Sequence, residues 1–335
     1  MSSYESFLVE NNNSLICVGL DPLIGPKAIP IEYIEKFGKG SNNKEKNASS
    51  AFEYFKTIID ATSNIVSVYK PNAAFWFRFG VYGIEYLSKL IQYIQAKGAK
   101  VILDIKTSDI GSTMRKYGES YLLDDALFND CSPDAITAVP YFGDDGILSP
   151  NIEQLAPLEF PGKGIYFMVR SSNPSGKQFQ GIKSMKGPFL YELYMKTVLK
   201  WDKKLSTNIG AVIGGTSWEE DDVELKEFSS LIKICGSEGF LPIILVPGVG
   251  AQGGSATDVI KVIIKNLEEI GWKWEKIDKE LKKVVINSSR GVDYAWAKEF
   301  NSFIDESTGD FVNFAEASKK EVLKLKEEIF KAKEN

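Results

Sequence analysis

The 335-residue sequence contains no histidine. A serine or cysteine nucleophile activated by histidine is therefore excluded, and so is a metal site with histidine ligands. Any proton transfer by this protein must use a carboxylate, a lysine, a tyrosine or a cysteine. This absence restricts the possible chemistry more than any other feature of the composition.

Cysteine is scarce, and long apolar runs are missing. Cys17, Cys131 and Cys235 are odd in number, widely spaced and without a CxxC pair. This usage is typical of reduced cytosolic thiols and not of a disulfide framework or a zinc site. The first residues contain neither the basic nor the apolar region of a secretory signal, and no stretch approaches the length of a membrane span. We therefore expect a cytoplasmic protein with no membrane partner.

Basic residues do not outnumber acidic ones. The chain has 40 lysines and arginines against 45 acidic residues, which gives a formal net charge of −5. This acidic balance argues against a general nucleic-acid-binding surface, although a local basic pocket remains compatible with it. We therefore expect a small-molecule substrate and no nucleic-acid partner.

Short apolar runs alternate with amphipathic segments along the whole chain, a pattern that predicts parallel strands connected by helices. The runs are almost continuously apolar, as expected for strands that are covered on both faces. Eight βα units in about 300 residues fit a single-domain (β/α)₈ TIM barrel better than a six-strand doubly wound sheet. The predicted strands are 14–21, 65–72, 100–106, 135–140, 164–170, 209–215, 242–248 and 284–290.

The segments between the strands contain two clear helices, a polar insertion and a charged terminal helix. Residues 83–98 and 256–271 place apolar side chains at i, i+3, i+4 and i+7. The polar stretch 38–50 is interpreted as an exposed loop within a long insertion, about 22–50, that follows the first strand. The last segment, about 314–333, predicts a charged amphipathic helix whose lysines face solvent.

Charged and polar side chains collect at the ends of the predicted strands. In a (β/α)₈ barrel the catalytic groups lie at the carboxyl ends of the strands. Buried charges are costly singly and tolerable in pairs, so a rim of alternating charge indicates a site. Asp104 and Lys106 stand two residues apart and are expected on the same face of their strand. The other strand-end residues are Asp21, Lys70, Asn72, Arg170, Ser171, Ser172, Asn173, Ser288, Ser289 and Arg290.

The loop after the seventh predicted strand contains Gly248-x-Gly250-x-x-Gly253, which matches the dinucleotide-binding fingerprint. We do not favour a dinucleotide site, because the two glutamates about 20 positions later fall inside a helical pattern. Loops after strands 7 and 8 of a barrel commonly hold a phosphate, and the glycines would let backbone N–H groups approach one. Gln252 and Arg290 would donate to its oxygens. The simpler interpretation is a plain glycine-rich turn, with Arg290 in a surface ion pair.

Together, these motifs resemble those of the orotidine 5′-monophosphate decarboxylase family. They occur in the order found in the family and span nearly the whole chain. DxKxxD alone is shared with related barrel enzymes, but its combination with YKPN and the glutamine-containing loop is specific. The SSNP and NSSRG forms resemble the longer branch of the family. The motifs are VGLDP (18–22), YKPNAAF (69–75), LDIKTSDIGST (103–113), VRSSNP (169–174), PGVGAQGG (247–254) and NSSRG (287–291).

The resemblance implies an alternating catalytic tetrad of Lys70, Asp104, Lys106 and Asp109. Lys106 would protonate the product carbanion at pyrimidine C6, Asp104 would lie near the substrate carboxylate, and Lys70 would bridge Asp104 and the ribose. Burial alone lowers the pKa of a lysine, so flanking carboxylates are needed to keep Lys106 charged. The resemblance also implies that the protein needs no metal and no organic cofactor.

The substrate contacts and a homodimer are implied in the same way. Asp21 would hold the ribose hydroxyls, Ser172 the pyrimidine edge, and Gln252 with Arg290 the phosphate. Asp109 would reach into the neighbouring subunit's site. The other substrate-binding residues that the resemblance implies are Asn72, Ser289, the glycines Gly248, Gly250 and Gly253, and, beside Asp109, Ile110 and Thr113.

The chain departs from some members of the family in two places. Asn173 stands where others have histidine, in keeping with the complete absence of histidine. The connection between the first strand and its helix is also long, about 30 residues. The sequence offers no functional explanation for this length.

Three functions remain open on the sequence. The first is decarboxylation of orotidine 5′-monophosphate to UMP and CO₂, which Asn72 and Gln252 favour. The second is a Mg²⁺-dependent decarboxylase or aldolase of the same barrel superfamily that acts on a sugar phosphate through an enediolate. The third is a non-catalytic barrel that binds a nucleotide phosphate. Simpler structural explanations are a salt-bridge network for the tetrad, a loop-capping hydroxyl for Ser172 and a turn-forming aspartate for Asp21.

Overall fold

Eight parallel strands close into one barrel in chain order, with the eighth strand hydrogen-bonded to the first. The computed structural model describes residues 3–128, 131–147, 159–185, 187–219, 224–250, 252–305 and 307–334. The strands are β1 Ile16–Leu20, β2 Val68–Pro71, β3 Lys100–Thr107, β4 Ala135–Ala138, β5 Gly164–Arg170, β6 Asn208–Ile213, β7 Ile243–Val246 and β8 Val284–Ser288.

This barrel confirms the (β/α)₈ fold predicted from the sequence. Each observed strand lies inside, or within one residue of, the stretch predicted for it. The α-helices of the described residues are Tyr4–Asn11, Ile31–Phe37, Asn43–Thr62, Ala73–Phe77, Val81–Ala96, Gly111–Leu122, Lys177–Gln180, Leu190–Asp202, Lys226–Ser237, Ala256–Glu269, Trp274–Leu281, Arg290–Asp293, Trp296–Glu299 and Phe314–Glu334, and short 3₁₀ turns span Pro140–Gly146 and Pro174–Gly176.

The amino end of the barrel, where the strands begin, is closed by the helix Tyr4–Asn11. Tyr4 and Leu8 are buried against the inward-facing residues of the strands. Tyr166 Oη donates to Tyr4 Oη at 3.1 Å, so the two buried hydroxyls are hydrogen-bonded to each other. A Cβ at Gly164 would lie 2.8 Å from the Tyr4 ring, so glycine is needed for this close approach. The helix therefore acts as a packed plug.

The prediction of an exposed loop over residues 38–50 is wrong from Asn43 onward. A helix begins there and continues to Thr62. Asn42 caps it by accepting from Glu45 N at 3.1 Å, and Glu45 accepts in return from Ser41 N at 2.8 Å. The reciprocal pair is close to a capping box, a signal that the polar composition obscured. The helix Ile31–Phe37 also lies within the predicted polar insertion 22–50.

The charged C-terminal segment forms the helix Phe314–Glu334, in the place where the sequence predicts one. Val322, Leu325 and Ile329 are buried, so one face of this helix covers the barrel while its charged residues face outward. The helix Ala256–Glu269 also contains the two glutamates that the dinucleotide fingerprint would need at the end of a strand. That location argues against a dinucleotide site.

The structure also shows where the cysteines lie and how apolar the longest helices are. All three cysteines are buried and unpaired, and burial raises the pKa of the Cys17 thiol to about 12. Among the described residues, no helix combines the length and apolar character needed to cross a bilayer.

Candidate active site

A cavity of about 500 Å³ opens at the carboxyl end of the barrel. This is where barrel enzymes place their chemistry. All eight strands border it through residues near their ends or in the loops that follow, with Asp21 after β1 and Thr137 in β4. The lining residues used below are Asp21, Lys70, Asn72, Asp104, Lys106, Thr137, Ser172, Gly248, Gln252, Asn287, Ser289 and Arg290.

Asp104 forms the centre of a compact charged group in this cavity. Its Oδ2 lies 3.0 Å from Lys70 Nζ, and its Oδ1 lies 2.5 Å from Lys106 Nζ. Thr137 Oγ1 donates to the same Oδ1 at 2.9 Å, and Asn72 Nδ2 donates to Oδ2 at 3.3 Å. One buried carboxylate therefore holds both lysines, and all its contacts come from β2, β3 and β4 or their ends.

The two lysines and Asp104 stabilise one another's charges. Burial alone would raise the pKa of Asp104, but the ammonium groups of Lys70 and Lys106 outweigh it and hold the pKa well below its usual range. Burial likewise opposes the charge of Lys70, and the carboxylates of Asp104 and Asp21 outweigh it and raise the pKa of Lys70. Lys70 is almost completely buried, whereas 46% of the Lys106 side chain is exposed. Of these two lysines, Lys106 is therefore the one that a ligand in the cavity can reach.

A β-bulge positions Lys106. The register between β3 and β4 shifts between Leu103 and Thr107, and Lys106 adopts a φ of 49°, in the left-handed region. Such a conformation costs roughly 1 kcal/mol or more for a non-glycine residue. Thr137 Oγ1 offsets part of this cost, since it accepts from both Ile105 N at 3.0 Å and Lys106 N at 2.9 Å. The alternation assumed from the sequence is therefore interrupted at Lys106, although its side chain still meets Asp104.

Asp21 faces the cavity from the end of β1. It is largely buried, and its Oδ1 has no hydrogen-bond partner among the described residues. The backbone around it is fixed, because Tyr294 Oη donates to Asp21 O at 2.8 Å and accepts from Leu23 N at 2.7 Å. Asp21 lines the cavity, a position that a simple turn-forming role would not explain.

The fourth predicted tetrad residue lies apart from the other three in this single chain. Asp109 follows β3 and accepts from Ile110 N at 2.7 Å, an interaction within the loop. Ile110 is 52% exposed, and Thr113 is exposed on the helix Gly111–Leu122. None of the three lines the cavity. Within one subunit the structure therefore brings together Lys70, Asp104 and Lys106, without Asp109.

The opposite side of the cavity joins the loops that follow β5 and β7. Ser172 Oγ donates to Gln252 Oε1 at 2.8 Å, so its hydroxyl links two loops and does not cap its own. Gly248 has a φ of 96°, and a Cβ there would lie 2.9 Å from Ser172 Cβ. Both the backbone conformation and the close approach therefore require glycine at this position.

The glycine amides of the β7 loop are engaged within the loop. Gly250 N donates to Gly254 O at 2.9 Å, Gly253 N donates to Gly250 O at 2.9 Å, and Gly254 N donates to Gly248 O at 3.0 Å. These bonds shape the loop beside Gln252. An anion that used the same amides would have to compete with these internal acceptors.

Arg290 and Ser289 complete the rim after β8. Arg290 is exposed at the start of the short helix Arg290–Asp293 and borders the cavity. Ser289 accepts from Asn287 Nδ2 at 3.2 Å and packs against Gly19, where a Cβ would overlap its hydroxyl. Asn287 Oδ1 is buried without a hydrogen-bond partner among the described residues.

Two polar residues of the cavity, Thr137 and Asn287, are not among the residues predicted from the sequence. Thr137 is 1% exposed and lies inside the apolar run of β4, so nothing but its hydroxyl distinguished it from a core residue. Asn287 was treated only as part of a motif. Their common signal is position: each lies two residues after an inward-facing apolar residue, Ala135 or Val285, and therefore on the same inner face.

The chain matches a family of known proteins over most of its length. The family model described as orotidine 5′-phosphate decarboxylase / HUMPS family matches residues 14–271. The chain belongs to this family. The matched region includes β1 to β7 and every predicted site residue except Ser289 and Arg290.

Individual relatives cover almost the full length. The chain is 31% identical to orotidine 5′-phosphate decarboxylase of Caldicellulosiruptor saccharolyticus over 310 residues, 90% of this chain and 91% of that protein. It is 31% identical to the Clostridium novyi enzyme of the same name over 325 residues, 95% of each chain. Among solved structures, Leishmania donovani UMP synthase matches with a TM-score of 0.65 and 25% identity, over 99% of this chain and 57% of that one.

Proposed function

We propose that this chain decarboxylates orotidine 5′-monophosphate to UMP and CO₂, a step of pyrimidine nucleotide synthesis, and that it needs no cofactor. The observation that carries the proposal is Asp104 held between Lys70 and Lys106, with Lys106 exposed to a cavity. Gln252 and Arg290 border the same cavity. Relatives that cover most of the chain carry the name of this activity.

The reaction requires the type of group that Lys106 provides. Loss of CO₂ breaks the C6–carboxylate bond and leaves its electron pair on C6, with no adjacent carbonyl to delocalise the charge. A fixed ammonium stabilises that charge as it develops. A proton then passes from Lys106 Nζ to C6, and the resulting amine regains a proton from water. Asp104, whose low pKa keeps it ionised, forms an ion pair with Lys106 and faces the departing carboxylate.

A single ion pair does not stabilise the transition state enough to account for the decarboxylation. At about 4 Å and an effective dielectric constant near 20 it contributes roughly 4 kcal/mol, or about 10³ in rate. A demanding decarboxylation needs far more. The remainder comes from binding energy remote from the reacting carbon, realised when the phosphate is bound and the loop closes.

Arg290 and Gln252 are the proposed phosphate ligands. The guanidinium of Arg290 offers two parallel N–H donors, which match two phosphate oxygens. Gln252 already accepts from Ser172 through Oε1, so its amide nitrogen would donate to the phosphate while the Ser172 bond is kept. Gly248, Gly250 and Gly253 shape this loop. Phosphate binding would in this way be connected to the residue at the pyrimidine edge.

The other substrate contacts follow from the polar groups that line the cavity. The carboxylate of Asp21 lines it and would accept from a ribose hydroxyl. Lys70, which already contacts Asp104, is placed to donate to the same ribose. Asn72 and Ser289 line the cavity beside them. These assignments place the ribose over the ends of β1 and β2 and the reacting carbon over β3.

A homodimer would complete the site. The helix Gly111–Leu122 contacts the turn Pro140–Gly146, and together they expose Ile110, Tyr117, Tyr141 and Phe142. An apolar surface of this kind is typical of an interface. Asp109 and Thr113 border it and would enter the partner's cavity, adding the fourth charge of the tetrad. We propose a cytoplasmic dimer with neither nucleic acid nor membrane as a partner.

The direct test is the loss of orotidine 5′-monophosphate absorbance when the purified protein is added, with and without EDTA. Turnover that is unaffected by EDTA is expected. Abolition of turnover by the chelator would favour the Mg²⁺-dependent sugar-phosphate alternative. Binding of UMP with orotidine 5′-monophosphate left intact would favour the non-catalytic barrel.

Subunit mixing tests the shared site. Lys106→Ala and Asp109→Ala chains should each be inactive alone, and their mixture should regain activity because a mixed dimer contains one intact site. Mass-tagged chains would prove that subunits exchange. Exchange without recovered activity would contradict the assignment of Asp109 to the partner's site.

A further inference from the structure

Asp293 is a completely buried carboxyl group to which the proposed mechanism gives no role. It ends the short helix that follows β8 and is 0% exposed. Its Oδ2 accepts weakly from Asp21 N at 3.4 Å, and its Oδ1 has no hydrogen-bond partner among the described residues. Buried acidic groups without a cation are rare unless they are neutral.

The groups around Asp293 do not neutralise it by an ion pair. Asp21, from the end of β1, faces it with a charge of the same sign, and Lys70 acts on it only at a distance. Tyr54 Oη donates to the backbone oxygen of Asp293 at 2.7 Å, and Tyr294 Oη donates to that of Asp21 at 2.8 Å. Both tyrosine hydroxyl protons therefore point to carbonyl oxygens and leave the Asp293 carboxyl without a strong donor.

The charge balance of the cavity leads to the same conclusion. Lys70 and Lys106 supply two positive charges, which Asp21 and Asp104 already balance. A third carboxylate would add unpaired negative charge behind a cavity meant for an anionic substrate. Burial, and next the charge of Asp21, raise the pKa of Asp293 well above its ordinary value.

We propose that Asp293 is held in its protonated form and is a positioning residue for Asp21. As a neutral group it accepts from the Asp21 backbone without repelling the Asp21 carboxylate, which lines the cavity where the ribose hydroxyls are proposed to bind. The inference rests on the proposed function for its catalytic consequence. The protonation state itself does not depend on any substrate.

The first experiment measures unfolding by denaturant between pH 5 and about pH 8 for the wild type and Asp293→Asn. A carboxyl that is protonated in the fold and ionised in the unfolded chain makes stability fall as pH rises through this range. The wild type should therefore lose stability with pH relative to Asp293→Asn, with a slope approaching one proton. Parallel curves for the two proteins would overturn the proposal.

An infrared spectrum of the wild type gives a second reading that needs no variant. At about pH 8, where solvent-exposed carboxyl groups are ionised, the folded protein should retain a protonated-carboxyl band that unfolding removes. Absence of that band would also overturn the proposal, even if the variants fail to fold.

Kinetics separate positioning from a purely structural role. Asp293→Leu removes the acceptor for Asp21 N and should raise KM for orotidine 5′-monophosphate about tenfold, the effect of one hydrogen bond, with a smaller change in kcat. Asp293→Asn, a neutral acceptor of similar shape, should restore KM to within about threefold of the wild type. An Asn variant as impaired as the Leu variant would show that the carboxyl is needed ionised. A protein with no decarboxylase activity would refute the proposed function. The protonation state of Asp293 would still be tested by the pH dependence of unfolding.

Discussion

The two ends of the barrel are built from the same strands but have opposite characters. At the amino end the inward side chains are apolar and close against the helix Tyr4–Asn11. Two residues later on the same inner face, several strands present a polar group to the cavity. The pairs are Val68 and Lys70, Ile102 and Asp104, Ala135 and Thr137, and Val285 and Asn287.

The difference shows how one architecture separates stability from chemistry. A strand places every second side chain on one face, so a step of two residues changes the layer without changing the direction. The apolar layer provides a rigid base in which Tyr4 and Tyr166 satisfy each other. The polar layer above it can then hold Lys70 and Asp104 in fixed positions. Because these paired charges are already ordered, they need little reorganisation when a ligand binds.

Replacement of Lys106 should show the largest difference between the two ends of the barrel, with turnover lost at one end and stability changed at the other. Lys106→Ala should lose decarboxylation by many orders of magnitude, because both the stabilising charge and the proton are removed, while UMP still binds. Lys100→Ala is the matched control on the same strand, since Lys100 pairs with Asp134 at the amino end at 2.7 Å. It should change stability and leave turnover nearly intact. Absorbance assays and UMP titrations distinguish the two, and substantial activity in Lys106→Ala would remove Lys106 as the proton donor.

Arg290→Ala should have the next largest effect. Two charge-assisted hydrogen bonds to phosphate are together worth about 3–4 kcal/mol, so kcat/KM should fall roughly 10²–10³-fold. The loss should disappear with a substrate that lacks the phosphate. Lys276→Ala is a control for net charge, because Lys276 Nζ donates to Gly239 O and neither residue lines the cavity. An equal loss with the phosphate-free substrate would contradict the assignment.

Thr137→Val tests whether the Thr137 hydroxyl holds Asp104 and Lys106 in position. The change removes the donor to Asp104 and leaves the amides of Ile105 and Lys106 without their acceptor. We expect a destabilisation of about 1–3 kcal/mol and a fall in kcat of about tenfold to a hundredfold. Thr197→Val, on an exposed helix surface where the hydroxyl bonds only Leu193 O, is the control. Unfolding midpoints and kcat are the measurements, and an unchanged kcat would mean that the bulge holds Lys106 without Thr137.

The outcome for these residues also shows what the sequence could predict. The strands were predicted nearly to the residue because their apolar runs are long and bounded by turns. Lys70, Asp104 and Lys106 were predicted together because charges at strand ends are rare in buried positions. Thr137 was missed because a hydroxyl in an apolar strand has no pattern of its own, and the bulge at Lys106 depends on β4, a neighbour that local sequence does not specify. The helix that begins at Asn43 was missed because its solvent-facing first turn resembles a loop in composition.

The last expected effect is on stability and not on turnover, and it concerns the amino end, where Asp202 Oδ1 accepts from Ile209 N at 2.9 Å. Burial is the main reason that its pKa is raised from 3.8 to about 7. Between these values the folded protein holds a proton that the unfolded chain releases, so stability falls as pH rises from about 4 to about 7. Asp202→Asn should remove this slope and gain on the order of 2 kcal/mol over the wild type by pH 7.5, after allowance for partial exposure.

Asp104, at the carboxyl end, changes the stability of the fold with pH in the opposite direction. Its pKa is lowered by Lys70 and Lys106, so the stability it contributes is present above about pH 4 and is lost as pH falls further. The exposed pair of Asp60 and Lys97 provides a control with the same sign as Asp104, since the pKa of Asp60 is also lowered. Denaturant unfolding from pH 3 to pH 8 measures all three carboxyl groups. If Asp202→Asn followed the wild type at every pH, the amino end would carry no titrating carboxyl there, and the contrast between the two ends would be one of polarity alone.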